Sequence, residues 1–172
     1  MAAIKEKIAY RKLKGFKQAQ RVGSLRPLSE IKTVAILYDV SEMSWKEVRK
    51  IIDFFQEHGK SVTTLGYLDE KELTHEYTPN YKHMFFCKEQ LSFWKLPMPN
   101  TLSRFITTDF DYLINLDVKG NMVLQAVSTY SQAKTRLGMH MDTYLFSQDF
   151  MVKTQAKSGT ELFDSMKEYV GK

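Results

Sequence analysis

The residues best equipped to do chemistry lie in the first 21 positions. Lys5, Arg11, Lys12, Lys14, Lys17 and Arg21 are interleaved there with Tyr10 and Phe16. Cations that neutralise phosphates, set beside rings on which bases stack, are what a protein needs to hold RNA. Residues 1–32 carry nine Lys and Arg against two Glu, a net +7, whereas the whole chain carries +5. The remainder therefore sums to −2, and the basic character belongs to one arm. Such asymmetry points to an anionic partner for that arm. Other readings of the same residues stay open. Ile4, Ile8, Leu13 and Phe16, with Ala9 and Ala19, form a loose apolar stripe on a helix expected over residues 2–21. That stripe packs on the protein's own body, lies on an anionic membrane, or docks on a partner. It lacks the bulky, continuous apolar face of a membrane-surface helix, so RNA, the ribosome included, is the preferred partner.

A second set of candidates sits where strands are expected to end. Asp39, Asp69 and Asp117 each close an apolar run, and in open α/β sheets ligands bind outside the carboxyl ends of the strands. Asp39, Asp117, Lys119, Gly120 and Asn121 would bound such a cleft, suited to a small molecule or a nucleotide sugar. The three acids have two further uses, holding Mg²⁺ or capping turns and helices, and capping needs only the fold to explain it. No glycine-rich dinucleotide or phosphate-loop motif follows any strand, and no G-x-S-x-G is present. Four histidines without paired spacing and one cysteine supply no zinc set. No catalytic residue, metal or cofactor is assigned, and the sequence reads as a non-catalytic binding protein.

The elements that must position these residues follow from periodicity. TVAILY from Thr33 is a strand buried on both faces. Ser41 or Ser44 caps a helix, Glu47 completing a capping-box pattern with Ser44, and its core face is Val48, Ile51, Ile52 and Phe55, with Gly59 ending it. SVTTLGYL (61–68) and HMFFC (83–87) are further strands, the second holding Cys87 as a small apolar residue. Between them the polar residues 69–83 are a loop or a ragged helix. Leu91 to Pro99 is aromatic and proline-bearing, a connection expected to tuck Phe93 and Trp94 against the body. Exposed, those two rings would instead mark a protein interface. Tyr112–Leu116 is a strand, Asn121–Gln132 a helix, Arg136–Met141 a strand, and Leu145–Met151 an edge strand or loop. Ser158 and Glu161 open a last helix that buries Leu162, Phe163, Met166 and Val170.

Strand–helix alternation predicts one α/β domain, a Rossmann-like three-layer fold with a mostly parallel sheet of about five strands. Residues 1–28 are its basic arm and linker and 29–172 its body. No stretch reaches the roughly 18 apolar residues of a transmembrane helix, and no apolar core follows the basic N-terminus as a secretory signal would need. With one unpaired cysteine, the expected compartment is the cytoplasm.

The basic N-terminal helix, VTTLGYLDEKE, FDYLINLD and SQAKTRLG together resemble a family of small uncharacterised bacterial proteins of about this length. That resemblance implies the fold and carries no assigned activity. Residues 110–140 also resemble a segment in the N-terminal domain of heptosyltransferase-like glycosyltransferases. Those enzymes use two Rossmann-like domains, and this chain has room for one. Their glycine-rich acceptor loop is replaced here by DVSEMSW. The likeness implies the fold and speaks against that catalysis.

Overall fold

The run TVAILYD has nothing polar to offer solvent between its ends, so it forms a central strand. The computed structural model of the chain describes residues 1–16 and 21–171, and in it β1 (Thr33–Asp39) is buried over Val34–Tyr38. β1 pairs in parallel with β2 (Ser61–Leu68) on one side and β4 (Tyr112–Asn115) on the other. β3 (His83–Cys87) joins outside β2. β5 (Thr135–Met139) and β6 (Phe150–Val152) continue beyond β4. The order β3-β2-β1-β4-β5-β6, parallel throughout, is that of a doubly wound Rossmann sheet. The segment read as edge strand or loop supplies the sixth strand, cut to three residues.

Helices cover both faces. α2 (Trp45–Glu57) crosses from β1 to β2, and α5 (Gly159–Val170) packs beside it over Val34, Ile36, Tyr38, Tyr112 and Ile114. α4 (Met122–Tyr130) crosses from β4 to β5 on the opposite face, where the short α3 (Ser103–Ile106) also packs. The predicted caps are in place. Ser44 Oγ accepts from the Glu47 N–H at 3.3 Å while Glu47 accepts from the Ser44 N–H at 2.8 Å. Ser158 Oγ accepts from the Glu161 N–H at 3.2 Å. Gly59 lies at φ +72°, the left-handed position past a helix end that glycine adopts without strain.

α1 (Ala2–Lys14) is shorter than the expected helix. Gly15 caps it, its N–H donating to Arg11 O at 2.9 Å, because glycine gives up more backbone freedom in a helix than any other residue. Its Ala9 and Leu13 are buried against Ala126 of α4, Leu96 and Tyr144. The centre of the apolar stripe is thus used on the protein's own body, while Ile4 near its start stays exposed.

Candidate functional site

Docking α1 through Ala9 and Leu13 turns its cations outward on two flanks. On one, the Lys5 ammonium lies 4.0 Å from the centre of the Phe93 ring, and that of Lys12 lies 5.6 Å from the Trp94 ring. On the other, Lys7, Arg11 and Lys14, at helical spacing i, i+4, i+7, line a groove of about 660 Å³ with Tyr10, Thr143 and Tyr144. None of these five cations is in an ion pair among the described residues.

Three residues predicted for this surface have other partners. Tyr10 donates its hydroxyl to Thr143 O at 2.9 Å and packs on Tyr144 and Phe146. Phe16 stands edge-on to Tyr130 with ring centres 4.7 Å apart, leaving 42% of it exposed. Arg21 is drawn away from solvent. Its guanidinium donates to both carboxylate oxygens of Asp149 and to Ala133 O, so its charge is matched inside the body. Lys17 lies outside the described residues.

The Leu91–Pro99 connection departs from expectation in one ring. Leu91 and Pro97 form an antiparallel bridge, and Ser92 N–H donates to Leu96 O at 2.8 Å. This closes a turn too tight to fold both aromatics inward. Trp94 packs against the α1–α4 cluster, but Phe93 stays 70% exposed, edge-on to Trp94 at 5.2 Å. Lys95 completes the turn at φ +59°, a left-handed conformation that a residue with a Cβ adopts at a cost of about 1–2 kcal/mol. Between this turn, the start of α1 and the start of α4 runs a groove of about 480 Å³. Met1, Ala2, Trp94, Met122 and Val123 form its walls, with Lys5, Glu6 and Lys95. Aromatic rings and unpaired cations thus share one face.

The strand-end cleft also assembles. Topology brings the carboxyl ends of β1 and β4 side by side, and Asp39, Asp117, Lys119, Gly120 and Asn121 line one hollow of about 250 Å³. Its polar groups are engaged with one another. Asp39 accepts from Ser41 N–H and Oγ at 2.8 and 2.6 Å, and from Asn121 Nδ2 at 3.1 Å. Asn121 Oδ1 in turn caps α4 through the Val123 N–H. Lys119 pairs with Glu42 at 2.8 Å. Asp117 accepts from the Lys119 and Gly120 N–H groups and from Gln125 Nε2. Burial raises the Asp117 carboxyl above its ordinary range, against the pull of those donors. Gly120, at φ +76°, makes the turn that presents these N–H groups. Asp69 stands apart, held by the Tyr67 hydroxyl at 2.9 Å and by Lys88 at 3.2 Å. Asp39 and Asp117 therefore each close their own turn, and Asp69 does not. Among the described residues no group of three or more His, Cys, Asp and Glu could hold a metal ion.

Two buried carboxylates were not foreseen. Burial alone would raise Asp149, but hydrogen bonds from Arg21 and then Arg136 outweigh it and hold the group down at about 2. Asp111 is likewise raised by burial and then driven well below the ordinary carboxylate range by the Lys32 N–H, Lys134, Arg26 and the Thr33 N–H. The available signal was Arg136, a cation inside an apolar strand, which burial obliges to find an anion.

A family model described as "Family of unknown function (DUF6913)" matches residues 5–172. No curated protein matches the chain. Among the described residues no helix is long and apolar enough to cross a membrane.

Proposed function

The chain belongs to the DUF6913 family, a family of unknown function, and from that premise we propose that it is a non-catalytic binding protein whose basic helix holds RNA. The observation that carries this reading is the display of Lys5, Lys7, Arg11, Lys12 and Lys14 around a helix whose Ala9 and Leu13 are already buried on the body. With Ala9 and Leu13 spent on the body, α1 keeps only Ile4 and part of Ile8 as outward apolar surface, too little for the continuous face a helix lays into lipid, which disfavours the membrane alternative. Rings beside the cations, Phe93 exposed and Trp94 half-buried, favour a nucleic acid over a merely acidic surface. Single-stranded or looped RNA, such as the ribosome exposes, fits both features.

The test is binding of a labelled RNA across a salt series, with and without the triple charge reversal Lys7→Glu, Arg11→Glu, Lys14→Glu. Neutralising about five phosphates predicts a log–log salt slope of roughly −3 to −5. The triple variant should flatten that slope and weaken binding at least tenfold. An affinity indifferent to salt and to the triple reversal ends this reading.

A second reading, a small-molecule or nucleotide-sugar protein related to a glycosyltransferase half, has one observation in its favour. Asn115, the last residue of β4, buries an amide nitrogen without a hydrogen-bond partner among the described residues. A ligand oxygen reaching that strand end would satisfy it. Against it stand two acids that repel phosphate and a hollow below the usual range of about 300–1,000 Å³. Ligand binding would raise the melting temperature, and no shift across nucleotides and nucleotide sugars would eliminate it.

A further inference from the structure

We propose that the groove between α1 and the Ser92–Leu96 turn takes one unstacked base of single-stranded RNA, so that the protein holds single strands in preference to duplex. The inference rests on the RNA reading and adds what the charge alone does not specify. The groove holds about 480 Å³, within the range of small-ligand sites, and its walls are the Trp94 ring, Met122 and Val123 with Met1 and Ala2. Against the apolar walls a phosphate would lose hydration that only Lys5 and Lys95 could replace, whereas the flat apolar face of a base gains by entering. The cations sit where phosphates would then run. Lys5 and Lys95 line the groove, and the Lys12 ammonium lies 5.6 Å from the centre of the Trp94 ring. Glu6, the one acid on the wall, is an acceptor for a base amino group and repels a phosphate, which suits the base end of a nucleotide and no other. Phe93, edge-on to Trp94 and exposed outside the groove, offers a second face to the neighbouring base. In a duplex each base face is covered by its neighbours, so only an unpaired, splayed base enters.

The protein carries two tryptophans. Trp45 is partly exposed on the first turn of α2, so a full-length Trp45→Phe protein makes Trp94 the sole indole reporter. It would be titrated with a single-stranded RNA of about 12 nucleotides, with the same strand annealed to its complement, and with inorganic polyphosphate of equal charge. The expected result is quenching of Trp94 by the single strand, binding at least tenfold tighter than the duplex, and polyphosphate binding without quenching. Phe93→Ala should weaken the single strand on the order of tenfold at an unchanged melting temperature. Equal affinity for single strand and duplex with Trp94 emission unchanged overturns the base pocket and leaves the RNA reading standing. Binding to neither RNA overturns both.

Discussion

Lys95 is a lysine where the backbone favours glycine. Its left-handed conformation costs about 1–2 kcal/mol, and replacing it with glycine costs roughly 0.5–1 kcal/mol in added freedom of the unfolded chain. Lys95→Gly should therefore leave stability unchanged or raise it by up to about 1.5 kcal/mol, as read by denaturant melts. If the lysine is kept for its charge at the groove edge, the same substitution should weaken RNA binding. A variant that is less stable and binds as before would assign Lys95 a purely structural role. Neither this strain nor the exposure of Phe93 was legible in the sequence. Both depend on the tight turn set by the bridge from Leu91 to Pro97, and residues 91–99 have no period from which to read a face.

At the scale of the element, α1 separates its two jobs by face. Leu13 is fully buried, so Leu13→Ala should cost about 2–5 kcal/mol and lower the melting temperature steeply. The triple reversal of Lys7, Arg11 and Lys14 touches only exposed side chains and should move stability by less than about 1 kcal/mol. Equal destabilisation by both would show that the outer face is also structural. Removing residues 1–22 would uncover Leu96, Ala126 and Tyr144 and release Asp149 from Arg21, confusing a folding defect with a binding one. The strands β1, β2 and β3 and the capped helices α2 and α5 were legible because apolar runs and capping residues act locally. The end of α1 was not, since the arm's basic and apolar pattern runs on past Gly15 while the helix stops there. Five cleft residues could be named in advance because the strand-end rule needs only topology. Their mutual pairing could not, because it joins Asp39 to Asn121 and Glu42 to Lys119 across nearly half the chain.

For the molecule as a whole, two anionic centres tie the linker after α1 to the sheet. Asp149 joins Arg21 and Arg136, and Asp111 joins Arg26 and Lys134. Both carboxyls are held below their ordinary value in the fold. Their contribution is therefore complete above the unfolded aspartate pKa of about 3.9 and is lost as pH falls through the folded values. Stability should drop between about pH 5 and pH 2, and Asp149→Asn should blunt that drop in an acid titration followed by circular dichroism. A profile unaltered by the substitution would remove Asp149 from the acid response. The partners are not equivalent. Arg136 has 3% of its side chain exposed against 20% for Arg21. Asp149→Ala, which strands the buried Arg136, should cost about 3–5 kcal/mol, more than Arg21→Ala. Equal costs would mean that Arg136 finds other compensation.

The Arg21–Asp149 tie also sets an order of events during synthesis. The two residues are 128 positions apart, and at translation rates of roughly 5–20 residues per second the arginine waits about 6–26 s for its aspartate. Ser24 likewise waits for Thr135, and Arg26 for Tyr112. This earlier-made segment is thus among the last to be seated. Until Leu96, Ala126 and Tyr144 have all been made, Ala9 and Leu13 have no complete surface to cover them, and the newborn arm presents these apolar side chains as well as its charge.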